Sequence, residues 1–171
     1  ETVPWVAQAS VRRIWPNRLQ VTLREHRALG AWNDGRLLSD RGDLFVANVA
    51  EAEIFGPLPT FSGPDALARD VATRYYDFAA QLAALSLGVN GIDVSDRRSW
   101  AVEAGGTGLA TRVELGREDS AGALQQRLAD VVAAYPMVVA RVGGPPARID
   151  ARYANGFAAS APARPNDPRT R

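Results

Sequence analysis

The chain has 171 residues and contains no cysteine, one histidine and one methionine. Without cysteine there is no disulfide framework, no thiolate metal site and no cysteine nucleophile. A single histidine, His26, removes any His cluster that could hold zinc. It also leaves one candidate general base, at the end of the exposed-looking strand segment Glu25-His26-Arg27. A catalytic base needs a third group to orient it in a pocket, so His26 reads as a surface or boundary side chain. Lysine is absent too, and arginine supplies the whole basic complement. A compositional bias of the gene accounts for this, although arginine also suits bidentate partner contacts better than lysine does.

Charge of one sign is missing as well. Twenty basic residues against 19 acidic give a net charge of +1, which supplies no electrostatic reason to expect nucleic acid. No apolar run reaches the ~20 residues needed to span a bilayer. The best stretch, Val131 to Val142, is interrupted by Tyr135-Pro136 and Arg141. No signal-peptide pattern stands at the start. We expect a segment of a longer protein, with any targeting or membrane element upstream. The carboxylate pairs Glu51/Glu53 and Glu118-Asp119 read as solvated faces or helix caps rather than metal ligands. Gly105-Gly106-Thr107-Gly108 has no following lysine and lies between two strands, so it reads as a hairpin turn and not a phosphate loop. Arg41-Gly42-Asp43 spells an adhesion tripeptide, but it sits at a turn. No enzyme, cofactor or metal site is expected.

What is present is a folded-domain composition, 46% hydrophobic and 23% charged, in a chain long enough to bury a core. Pro4 to Ala9 reads as the tail of a helix, Ser10 to Ile14 as a strand, and Trp15 to Arg18 as a turn. Leu19 to Glu25 alternates apolar and polar residues, the mark of a half-buried strand that completes a hairpin. Turn signals at Asn33-Asp34-Gly35 and Asp40 to Asp43 divide Ala31-Trp32, Leu37-Leu38 and Leu44 to Val46 into a short meander. Gly56 to Pro59 and Ser62-Gly63-Pro64 read as loops. Apolar residues at helical spacing predict one helix over 65–84, with Pro64 at its start, and another over 121–134, capped by Asp119 or Ser120. Strands are predicted at Val89 to Val94, Ser99 to Glu103, Leu109 to Leu115, Ala147 to Arg152 and, last and short, Phe157 to Ala159. The fold class is therefore α+β: a mainly antiparallel sheet flanked by two helices, preceded by a hairpin. Residues 162–171 are expected to form a disordered tail.

Two places carry residue types that favour protein contacts. Alternation along a strand puts Arg98 and Trp100 on one face and Arg97 and Ser99 on the other. Either Trp100 is core and both arginines are solvated, or Arg97 lies on a partner-binding face. Arg152-Tyr153-Ala154-Asn155-Gly156 combines arginine and tyrosine, two types enriched at binding hot spots. The final strand has no charge between Ala154 and Ala163 and no proline before Pro162. An open sheet edge is normally blunted by such residues, so this edge reads as kept open for a partner strand.

The order of segments resembles the FtsQ family of bacterial cell-division proteins. The matching pieces begin with Pro4-Trp5-Val6, Ser10 to Arg13, Trp15-Pro16 with Leu19, and Glu25. They continue with Ala31 to Asp34, Asp40 to Phe45, Leu58-Pro59 and Gly63-Pro64. Arg97 to Trp100, Leu115-Gly116-Arg117, Tyr135-Pro136 and Asp150 to Gly156 complete the set, which covers nearly the whole chain. The resemblance implies a non-catalytic scaffold of the division apparatus, anchored in the inner membrane by an upstream helix, with this segment in the periplasm at the septum. It implies that residues 1–30 end a POTRA domain and 31–161 form the family's β domain. It implies that FtsB and FtsL are the partners, with an FtsB segment adding a strand to the last strands of the sheet. The family's contact positions carry over to Arg97, Arg152, Tyr153, Asn155 and Gly156. Asn155 stands where the family has serine, and Ala161 where it has an aromatic residue. The alternative is a POTRA-containing outer-membrane assembly or secretion factor, which explains Ser10 to Glu25 equally well but not the ordered match from Trp32 to Gly156.

Overall fold

The computed structural model describes residues 3–106, 109–153 and 156–161. Strands β1 (Val6–Ile14) and β2 (Arg18–Glu25) form an antiparallel hairpin with Val11 opposite Val21 and Arg13 opposite Leu19. β1 begins at Val6, so most of the segment expected as a helix tail is strand. The alternation in β2 is real, yet its apolar face is exposed. Leu19, Val21 and Leu23 are 70%, 57% and 56% accessible, because nothing among the described residues lies across the hairpin. Its attachment runs instead through aromatic rings at its base. Phe45 is stacked on His26 with ring centroids 4.3 Å apart and met edge-on by Trp5 at 5.4 Å. The Trp5 indole N–H donates to Glu51 at 2.9 Å. His26 is thus a boundary side chain with a packing role.

The remaining strands make one nine-stranded sheet. β3 (Ala28–Trp32), β4 (Leu37–Ser39) and β5 (Leu44–Phe45) form the expected meander, turned at Gly35 and Gly42, both at positive φ. A four-residue helix α1 (Val49–Ala52), capped by the Asn48 side chain, and a 3₁₀ turn follow. β6 (Thr60–Ser62) then enters the sheet where a loop was expected. Three residues are too few to show a period, and only the pairing with Ala31 and Trp32 on one side and Gly91 to Asp93 on the other makes them a strand. Next come α2 (Ala68–Leu82), β7 (Gly88–Val94), β8 (Ser99–Gly106), β9 (Leu109–Arg117), α3 (Ala123–Val142), β10 (Arg148–Asp150) and β11 (Ala158–Ala159).

Across the sheet the order is β11-β10-β9-β8-β7-β6-β3-β4-β5. Most pairs are antiparallel, but β3–β6, β6–β7 and β9–β10 are parallel. Parallel neighbours need a crossover: the segment from β4 through α1 joins β3 to β6, α2 joins β6 to β7 and α3 joins β9 to β10. Both α2 and α3 lie on one sheet face and pack on each other. Phe61, Ile92, Val102, Leu115 and Ile149 point from the strands toward Phe78, Leu82, Leu124 and Leu128 of the helices, and all are buried in the core. The residues between them, such as Asp93, Glu103, Arg112 and Glu114, form a polar opposite face on which Arg112 is paired with all three carboxylates.

Three expectations change here. α3 does not stop at Ala134 but runs through Pro136 to Val142. Proline removes one helical hydrogen bond, but Val131 and Val138 are buried on either side of it and hold the helix on the sheet. The Tyr135 hydroxyl adds a contact with Thr111 Oγ1 at 3.2 Å. At the other end, neither Asp119 nor Ser120 caps α3; the capping position is Gly122, at φ +80°, with no side-chain cap. Finally, Gly105 and Gly106 do not turn the chain: they pair with Ala110 and Leu109 and extend the ladder. Thr107 and Gly108, the rest of the expected turn, lie outside the described residues. The expected tail over 162–171 also lies outside them.

Candidate functional site

Four of the five sequence-predicted positions, Arg97, Arg152, Tyr153 and Gly156, converge on one corner of the sheet, where the ends of β8, β9 and β10 meet the start of α3. The chain turns between β7 and β8 in a tight loop. The Arg98 amide donates to Ser95 O at 2.8 Å, and the Ser95 amide donates to Ser99 O at 3.0 Å. Arg97 and Arg98 therefore belong to the turn and not to β8, and Arg98 has φ +58°. Strand alternation does not extend to them, which corrects the assignment of Arg98 to the face of Trp100. Trp100 itself is core, 4% exposed, with the Arg74 guanidinium over its ring at 5.1 Å. Arg97 is exposed and has no ion pair among the described residues.

Arg152 follows β10 and is bound back to Asp150. Its Nε donates to Asp150 Oδ1 at 2.8 Å and its Nη2 to Oδ2 at 2.5 Å. This forked bond holds the Asp150 carboxyl below the usual carboxylate range and raises the Arg152 guanidinium above its own. The stem of Arg152 crosses β9 at Gly116, which has φ +78° at a bulge opposite Trp100. A Cβ on Gly116 would stand 3.0 Å from Arg152 Cγ, so glycine is needed there both for the turn and for the close approach. Arg97 and Arg152 line a common depression of about 420 Å³, with Arg117, Asp119 and Arg127 among the other walls.

Arg127 is the organising residue that sequence reasoning missed. From α3 it donates to Leu115 O at 2.9 Å, to Arg117 O at 2.6 Å and to Asp119 Oδ2 at 2.7 Å, which ties the end of β9 to the helix. Its sequence signal was its place between Leu124 and Leu128, beside the apolar stripe. The Asp150–Arg152 pair carried a clearer signal, since Ala147 to Arg152 reads as one strand in which a spacing of two shares a face, although β10 ends at Asp150 and the fork forms just past it.

On the other side of Asp119 and Arg127 lies a second depression of about 860 Å³, walled by Tyr153, Gly156 and Phe157 opposite the first turn of α3. Tyr153 is 62% exposed, while Phe157 packs on the core. Asn155 lies outside the described residues. β11 is the outermost strand, antiparallel to β10, with Ile149 opposite Ala159 and Asp150 opposite Ala158. The structure thus groups Arg97, Arg152, Tyr153 and Gly156 around two adjoining depressions next to an open sheet edge. Among the described residues no group of three or more His, Asp or Glu side chains could hold a metal ion, and no helix is long and apolar enough to cross a membrane.

Comparison with known proteins fits this architecture. Residues 30–152 match the family described as cell division protein FtsQ/DivIB, C-terminal, and residues 1–26 match the FtsQ-type POTRA domain. The chain is 43% identical over 158 residues to the cell division protein FtsQ of Burkholderia pseudomallei, covering 92% of this chain and 61% of that protein. It is 38% identical over 159 residues to FtsQ of Nitrosospira multiformis, covering 93% and 62% respectively. FtsQ of Bordetella pertussis is 36% identical over 170 residues, again with 61% of its length covered. The chain therefore spans about three fifths of the relatives it matches. A secretion or outer-membrane assembly factor is set aside by the match that continues from the hairpin through the whole sheet. With its POTRA-type hairpin leading into the nine-stranded sheet, the chain belongs to the FtsQ/DivIB family of cell-division proteins.

Proposed function

We propose that this chain is a non-enzymatic docking platform of the division apparatus, and that it recruits the FtsB–FtsL pair by accepting a strand of FtsB at β11. Residues 1–30 end the POTRA domain and 31–161 form the β domain. The segment lies in the periplasm, with the anchoring helix of the full protein upstream. Arg97 pairs with an acidic side chain of the partner, Arg152 adds a contact beside it, and Tyr153 offers a ring with a polar tip. Asn155 and Gly156 complete the contact set that the family resemblance implies.

The observation that carries this reading is the position of β11. A two-residue strand of exposed alanines at the rim of a large sheet presents backbone donors and acceptors with no side chain in the way. Strand addition draws affinity from such backbone groups and selectivity from neighbouring side chains. Those neighbours are the residues gathered around the two depressions. The test is binding of the periplasmic segment of FtsB from the same organism to this chain, with Arg97→Glu as the variant. Direct binding is expected, and a hot-spot loss of ~2 kcal/mol or more would weaken it at least ~30-fold. Absence of binding by the unaltered chain would overturn the proposal.

A further inference from the structure

A third recess opens at the same end of the sheet but away from the edge strand. It measures about 310 Å³ and lies between the β7–β8 turn, the end of β9 and the start of α2. Four guanidiniums line it, from Arg74, Arg97, Arg98 and Arg117, against the two carboxylates of Asp70 and Glu118. Glu118 is already engaged by Arg74. Arg97, Arg98 and Arg117 have no ion pair among the described residues. In a chain of net charge +1 this is a local excess of positive charge.

Two independent features separate the recess from an ordinary solvated arginine cluster. Arg98 sits at φ +58°, a conformation that any residue with a Cβ adopts under strain and that glycine or asparagine would fill more readily. A residue kept in such a conformation at a turn marks a position whose side chain has a use. Beneath it, Arg74 reaches Glu118 with Nη2, while its Nη1 is buried with no hydrogen-bond partner. A buried N–H without an acceptor carries a desolvation cost and leaves the Arg74 guanidinium only partly satisfied beside the recess.

We propose that this recess is an oxyanion site, in which Arg98 and Arg117 grip a carboxylate or phosphate group beside Trp100, with the charge of Arg74 behind them. Guanidiniums suit these planar or multi-oxygen groups because they donate in pairs. No residue of the recess belongs to β10 or β11, so the site stands apart from strand addition; it extends the cationic surface from Arg152 across Arg97 toward α2. The oxyanion can come from an acidic side chain of a protein partner or from a free small anion.

The experiment follows backbone amide NMR shifts of this chain at fixed ionic strength, titrated with inorganic phosphate and, separately, with a blocked tetraglutamate peptide. Saturable shifts are expected over residues 95–100 and 117–118 with either probe, and not with chloride. Saturation by the peptide assigns the site to a partner's side chain, and saturation by phosphate alone assigns it to a small anion. Arg98→Gly is the decisive variant, because glycine suits φ +58° and the turn keeps its fold. Its melting temperature should not fall, yet binding should weaken at least tenfold, the equivalent of about 1.4 kcal/mol. Arg117→Ala should do the same, and Arg13→Ala on the hairpin should change nothing. If neither probe saturates, or if Arg98→Gly binds as tightly as the unaltered chain, the site is wrong. None of these variants touches Arg97 or the edge strand, so failure here leaves the FtsB reading standing, and the reverse also holds.

Discussion

Replacing Ala159 by proline separates an open edge from an internal strand, because the ladder shows where each amide points. The Ser160 amide donates to Arg148 O at 2.9 Å, so Arg148 and Ser160 face each other as a hydrogen-bonded pair. In an antiparallel ladder such pairs alternate with pairs whose N–H and C=O turn away. Asp150 and Ala158 form the next bonded pair, and Ala159, opposite Ile149, directs its amide outward. Proline at 159 therefore removes no hydrogen bond of the folded domain, and the exposed side chain leaves room for the ring. The cost is confined to the fixed φ, on the order of 0.5–1 kcal/mol. At about 2–4 °C per kcal/mol for a chain of this size, the melting temperature should fall by no more than about 4 °C. An added strand, in contrast, loses one backbone bond worth about 0.5–1.5 kcal/mol and meets the ring in its path. A total near ~2 kcal/mol lowers FtsB affinity about 30-fold, measurable by calorimetry alongside a thermal melt. Ser160→Pro is the mirror variant. It deletes the amide bond to Arg148 and the Oγ that accepts from the Arg148 amide at 3.0 Å, so it should loosen β11 itself. A large melting-temperature drop in Ala159→Pro, or unchanged FtsB affinity, would refute the reasoning.

Trp100→Ala empties a core position that is 4% exposed and should cost about 3–5 kcal/mol in a denaturant titration. Tyr153→Ala, at 62% exposure, should stay within about 0.5 kcal/mol of the unaltered stability while weakening FtsB binding; the opposite pattern would mean that the two faces are exchanged. Because the forked bond from Arg152 depresses the Asp150 carboxyl, its stabilising effect is present above the ordinary carboxylate value of 3.8 and is lost as pH falls through the lower folded value. Arg152→Ala should therefore raise the Asp150 titration midpoint seen by carboxyl NMR, and an unchanged midpoint would show that the pair does not persist in solution.

Short-range chemistry was legible in the amino-acid order. The turns at Gly35 and Gly42, the strands from Val89 to Leu115 and the apolar face of α2 follow from backbone preference and period alone, and the structure has them all. The α+β class followed from the same patterns. Where a residue's role depends on what lies beside it in space, local pattern failed. Thr60 to Ser62 is a strand only because two other strands flank it, and α3 passes Pro136 only because Val138 is buried beyond it. Leu19, Val21 and Leu23 alternate as if half-buried, yet alternation records which side is apolar and not whether anything covers it. At the site, residue types pointed to Arg97, Arg152 and Tyr153 as contact positions. The sequence separations hid the rest. Arg97 and Arg152 share one depression because β8, β9 and β10 are adjacent, and Arg127 anchors that corner from a helix. Above all, β11 is an edge because β10 pairs in parallel with β9 through the α3 crossover, which leaves one side of the last strand without a neighbour among the described residues. Edge and interior strands can share the same local sequence, so only the tertiary pairing decides between them.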